Sequence, residues 1–127
     1  MKYGYSRKVS LPFAEAVAKT KDALANEGFG ILTEIDVKAT MKKKLNLEYD
    51  NYLILGACNP ASAHKALQAE KEIGLLLPCN VIVYEDTGAV YVSAIVPSVA
   101  MSMVDNPALV EIAREAEEKL TRAIDGI

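Results

Sequence analysis

The sequence predicts an α+β fold, a mostly antiparallel sheet of about five strands with helices packed on it. Three observations carry this. Segments 2–9, 31–37, 52–58, 79–84 and 90–96 have the length and apolar pattern of strands. Helical periodicity with cap signals fills 12–27, 60–73 and the stretch after Pro107. Several connections are too short for a parallel crossover, which takes a dozen or more residues. The order is β-α-β-(α)-β-α-β-β-α, in a single domain spanning 1–127 of the 127 residues.

In the first strand Tyr3, Tyr5 and Val9 alternate with Lys2, Gly4, Ser6 and Lys8, and Arg7 interrupts the apolar side. Ser10 is placed to cap the helix over 12–27, Pro12 suits its first turn, Phe13, Val17 and Leu24 recur at helical spacing, and Gly28 stops it. Ile31, Thr33, Ile35 and Val37 alternate with Glu34 and Asp36, a strand whose polar side looks to water and whose register the alternation specifies. Residues 39–47, with Met41, Leu45 and the consecutive Lys42, Lys43 and Lys44, suit one or two turns of exposed helix.

Tyr52 to Cys58 is apolar throughout, which predicts a central strand covered on both faces. Asn59-Pro60 reads as an N-cap followed by proline at the first helical position, and Ala63, Ala66, Leu67 and Ile73 carry that helix to Gly74. Pro97 ends the strand over 90–96, and 98–104 reads as a loop. Asp105-Asn106-Pro107 opens the last helix, whose inward stripe is Leu109, Ile112, Ala113, Ala116, Leu120, Ala123 and Ile124.

Asp86-Thr87-Gly88 marks a hairpin. With Thr87 and Gly88 as a two-residue loop, Tyr84 falls opposite Tyr91, Val83 opposite Val92, Ile82 opposite Ser93 and Val81 opposite Ala94. Both faces are then apolar. Val81, Val83, Val92 and Val96 take the helices, while Ile82, Tyr84, Tyr91 and Ile95 form a second patch of a kind soluble monomers rarely leave bare. Two readings stand open: a second copy or a ligand covers it, making those four residues candidate dimer-interface residues, or the helix over 60–73 does.

Composition removes several function classes. The chain is 51% hydrophobic and 24% charged, the balance of an ordinary globular domain. Fourteen Lys and Arg against 17 Asp and Glu give a net charge of −3, which argues against a non-specific polyanion binder. No apolar run follows the charged amino-terminal residues and none approaches the ~18 residues of a membrane helix, so a cytoplasmic protein with reduced thiols is expected. No GxGxxG, P-loop or GxSxG motif occurs, and a lone histidine leaves little for a Ser-His-Asp arrangement, so an enzyme is not expected. Lys42 to Lys44 lack the interleaved aromatics that base stacking needs.

The candidate chemistry lies with Cys58 and Cys79. Cys58 ends one strand and Cys79 begins another, so antiparallel pairing of 52–58 with 79–84 brings both thiols to one edge of the sheet. His64, one turn past Pro60, extends the pair to a two-thiol, one-imidazole set of the kind that holds zinc or a soft metal. The spacing is not diagnostic, since CxxC is absent and cysteine is a common core residue. Cys58 also precedes a helix start, where unpaired N–H groups favour thiolate, whereas Asn59 reads first as a cap.

Asp36-Val37-Lys38, Gly56-Ala57-Cys58-Asn59-Pro60, Ala66-Leu67, Ile73-Gly74 and Leu77-Pro78-Cys79-Asn80-Val81 together resemble the uncharacterised family known as domain of unknown function 302, over essentially the whole chain. The resemblance implies a fold like one half of the TATA-binding protein, with an additional helix between strands, and dimers. It implies no DNA binding and no activity, so Cys58, Asn59, Pro60 and Cys79 carry over as motif positions only.

The expected protein is a small cytoplasmic, non-enzymatic, homodimeric binding protein with an apolar pocket near Cys58, Asn59, Pro60 and Cys79. Two alternatives stand beside it: a thiol-dependent redox or metal-handling protein using Cys58 and Cys79 with His64, and a structural interaction domain built on Tyr84 and Tyr91. The expected partners are a second copy and a small-molecule ligand, with neither nucleic acid nor membrane, and no cofactor is assigned.

Overall fold

The computed structural model describes residues 2–127. Strands β1 (Gly4–Val9), β2 (Gly30–Asp36), β3 (Tyr52–Cys58), β4 (Cys79–Asp86) and β5 (Ala89–Ile95) form one sheet in the order β1-β5-β4-β3-β2, antiparallel at every junction. Helices α1 (Phe13–Asn26), α2 (Val37–Leu45), α3 (Pro60–Ala69), α4 (Pro97–Ala100) and α5 (Ala108–Asp125) complete the expected α+β architecture.

The core lies between one sheet face and the helices. Leu55, Ala57, Val81, Val83, Val92 and Ala94 point from the sheet onto Ala16 and Leu24 of α1 and Leu120, Ala123 and Ile124 of α5. Leu109, Leu120 and Ile124 are 2%, 1% and 0% exposed, as the stripe on the last helix requires. Each such burial contributes about 1.5–3 kcal/mol. A second cluster joins Ala66 and Ile73 to Met101, Leu109 and Ala113 and fixes α3 against α5.

The hairpin register is the expected one: Tyr84 faces Tyr91, Ile82 faces Ser93, Val83 faces Val92 and Val81 faces Ala94. Thr87 and Gly88 both have positive φ, 52° and 80°, as a type I′ turn demands. Arg7, the residue that breaks the apolar side of β1, has a structural role: its Nη1 donates to the carbonyls of Ile127 (2.6 Å) and Asp125 (2.8 Å), closing the end of α5.

The structure departs from the sequence reading in six places. Ser10 does not cap α1; Pro12 holds the N-cap position and no side chain bonds there. The register of β2 is not regular, because Ile31 faces Ala57 while Thr33 already faces Gly56, leaving Leu32 as an extra, 65% exposed residue. Val37 belongs to α2, whose N-cap is Asp36. β3 is interior but one place from the edge, and β4 is the central strand. The helix expected over 60–73 ends at Ala69 and passes into a 3-10 turn over Lys71–Leu76, while 98–104 is helical, as α4 and a 3-10 turn, rather than loop.

Candidate functional site

Two regions attract functional interest, the rim that carries the cysteines and the sheet face away from the helices. At the rim, β3 and β4 run antiparallel with Ala57 directly opposite Cys79, so Cys58 and Cys79 meet at the same end of neighbouring strands. Both thiols are free and half-buried. They line one cavity with Phe29, Asn59, Ala66 and Pro78. Its volume is about 30 Å³. That is room for a water molecule, far below the roughly 300–1,000 Å³ of a small-molecule site.

Burial pushes the Cys79 thiol up to about 11, and the nearby Cys58 adds to the rise. Asn59 is a cap: its Oδ1 accepts from the Ser62 amide at 3.3 Å, and Pro60 follows at the first helical position. His64 is exposed on α3 and does not line the cavity. Among the described residues no three His, Cys, Asp or Glu side chains converge as a metal site requires. The three-ligand set of Cys58, Cys79 and His64 is therefore corrected to a pair of neighbouring thiols, because α3 points its imidazole to solvent.

The other face is bare of the three long packed helices. Helix α3 packs on α5 through Ala66 and Ala113, so it does not shield the face that carries Ile82 and Tyr84. Across four strands the register aligns Lys8, Tyr91, Tyr84 and Tyr52 in one row and Ser6, Ser93, Ile82 and Ile54 in the next. Tyr52 and Tyr84 stack with centroids 5.4 Å apart, and Tyr84 and Tyr91 with centroids 5.2 Å apart. Tyr49, in the connector before β3, meets Tyr52 edge-on at 6.5 Å. Partial burial, and then the nearby hydroxyls of Tyr49, Tyr84 and Tyr3, raise the Tyr52 phenol above its ordinary value.

The ladder of four rings ends beside a trough floored by small side chains. Ser6 Oγ and Ser93 Oγ are 2.7 Å apart, and a Cβ added at Gly4 would come within 3.2 Å of the Ser93 hydroxyl. With Lys2, Tyr3, Tyr52, Ile82 and Tyr84 these residues bound a groove of about 530 Å³ on the open face. Ile95 is separate from it: it packs against the core and lines the rim with Leu77 and Pro78. Sequence reasoning named Ile82, Tyr84 and Tyr91 but missed Tyr49 and Tyr52, whose partner strand the hairpin alone does not identify.

A comparison with curated proteins finds no match. The crystal structure of an uncharacterised conserved DUF302 protein from Bacillus stearothermophilus superposes with a TM-score of 0.92 at 30% identity, covering 98% of each chain. The family model described as domain of unknown function DUF302 matches residues 5–127. With the model covering nearly the full sequence and a solved member superposing over 98% of the chain, the chain belongs to the DUF302 family.

Proposed function

We propose that this protein is a non-enzymatic homodimer whose open sheet face, centred on Tyr52, Tyr84, Tyr91 and Ile82, binds a second copy. The carrying observation is the tyrosine ladder: an apolar row stacked across three strands on the face that α1, α3 and α5 leave bare. Five strands about 4.8 Å apart and about 20 Å long present roughly 500 Å² in projection, more with side chains standing proud. A standard specific interface takes about 800 Å² per partner. Tyrosines suit such a surface, since they bury apolar rings and keep a hydroxyl for hydrogen bonds across it. A sheet with helices on one face and a bare opposite face is also the basis for reading the fold as TATA-binding-protein-like.

The apolar cavity at the cysteine rim takes the lesser role in this reading, because it holds about one water and not a metabolite. Binding therefore means assembly first, with the 530 Å³ groove as the space for a small ligand at or beside the interface. A cytoplasmic setting accords with the free thiols. No helix among the described residues is long and apolar enough to cross a membrane.

The test is sedimentation velocity from 0.1 to 100 µM on the wild-type chain and Ile82→Asp. The expected result is a dimer for the wild type and a folded monomer for the variant, since an unpaired carboxylate would have to be buried at the interface. A wild-type monomer throughout that range overturns the proposal. The thiol reading has one observation in its favour, the two sulfurs sharing a cavity. Free-thiol titration with metal analysis decides it: stoichiometric zinc or copper, or a reversible disulfide, supports it, and two inert thiols without metal reject it.

A further inference from the structure

We infer that α2 and the connector following it form an arm that closes over the tyrosine ladder of a second copy, each chain covering the other. This rests on the homodimer reading and adds which segment does the covering. Helix α2 has nine residues, none of them buried. Helices shorter than about 12–15 residues are marginal alone, and in proteins they are held chiefly by packing an apolar face. Within its own chain α2 packs principally on β2 and β3.

Local devices hold α2 in shape without covering it. Asp36 Oδ1 accepts from the Ala39 amide at 2.9 Å, Asn46 closes the far end in the left-handed region at φ 54°, and Lys42, Lys43 and Lys44 sit in the last turn where the helix dipole favours cations. Val37 and Met41 are half-buried, but three large apolar residues of the arm stay in water: Leu45 is 61% exposed, Leu47 53% and Tyr49 47%. An arm that is preformed and apolar yet uncovered suits a partner surface.

Two features make that surface the ladder of another copy. The base of the arm is continuous with the ladder, because Tyr49 of the connector is its first ring against Tyr52. A two-fold interface places one contact twice, so an arm that reaches the partner's ladder is matched by the partner's arm on its own. Charge also matches. Among the described residues Lys43 and Lys44 make no ion pair within the chain, and the ladder's hairpin end carries exposed Asp86 beside Glu85.

The experiment places benzoylphenylalanine at Leu45, an exposed site, in a refolded one-to-one mixture of light and 15N-labelled chains, followed by irradiation and peptide mapping. The expected products join the arm to peptides of β3, β4 or β5, with about half of them pairing a light with a heavy chain. Crosslinks confined to single chains, or joined elsewhere than the open face, overturn the inference. In parallel, Leu45→Asp with Leu47→Asp should raise the dimer dissociation constant at least 30-fold while the diluted monomer melts as the wild type does. An unchanged constant overturns the arm. If Ile82→Asp dissociates the dimer and the arm variant does not, the arm alone fails; if the wild type is monomeric, the homodimer reading fails and the arm with it.

Discussion

Tyr84 stands directly opposite Tyr91 across the β4–β5 hairpin, with ring planes 19° apart and centroids 5.2 Å apart. The pairing makes the open face a rigid ridge. Rings fixed against one another have little rotamer freedom left to lose when a partner arrives.

Alanine at Tyr84 or Tyr91 is therefore expected to weaken assembly at least tenfold, read by sedimentation equilibrium. In the dissociated monomer a double-mutant cycle on the pair should return about 1 kcal/mol of coupling by urea unfolding. Assembly unchanged in both variants would count against the ridge.

Alkaline stability should fall through the Cys79 thiol. Its ordinary value is 9.0 and burial raises it to about 11 in the fold, so the folded state holds its proton longer than the unfolded one. The resulting stabilisation is fully present below pH 9 and is lost as pH rises towards 11, by about 2–3 kcal/mol in all. Cys79→Ala should lose that part of the slope in urea titrations at successive pH values. Iodoacetamide should likewise label Cys79 far more slowly than a free thiol at pH 8.

Arg7→Ala is expected to cost about 1–2 kcal/mol, because the guanidinium closes the carbonyl end of α5. Arg7→Lys should recover only part, since one ammonium cannot present the same fork to several carbonyls. Thermal melts of the three proteins give the order directly.

Gly56→Ala should cost about 1–3 kcal/mol by overpacking. An added Cβ would run into the Thr33 hydroxyl and lie 2.8 Å from Pro78 Cγ. Thr87→Asn should act in the opposite direction and stabilise by roughly 0.5–1 kcal/mol, because Thr87 holds φ 52° with a β-branched side chain where asparagine is preferred. Urea midpoints measure both.

The parts of the fold legible in the sequence were those set by neighbours in the chain. The β4–β5 register follows from a two-residue turn and period-two alternation, and Asn59-Pro60 announces α3 by its own cap. The parts set by distant residues were not legible. Leu32 bulges because Thr33 takes the space that Gly56 leaves on β3, which the unbroken alternation of β2 does not disclose. Helix α3 stops at Ala69, where Asn106 Nδ2 donates to the Ala69 carbonyl at 2.8 Å from 37 residues away.

At the candidate site the same division holds. Antiparallel pairing of β3 with β4 brings the two cysteines to one rim, but residues 59–78 with their own helix separate the strands, so the pairing was a supposition that the connection itself does not dictate. The direction in which α3 aims His64 depends on how Ala66 docks against α5, so the imagined third ligand was not legible. The ladder was half visible, since Tyr52 joins Tyr84 only through a strand order that no local motif encodes.

The strand order also governs how the molecule is assembled in time. Gly4 pairs with Ile95, so β1 has no strand to bind until β5 has been made, while β2 at the opposite border waits only for β3. Pairing across such a separation carries a large loop-closure entropy and slows folding. The β4–β5 hairpin, closed by two residues, is the natural nucleus, and β1 is the last strand to acquire its partner during synthesis.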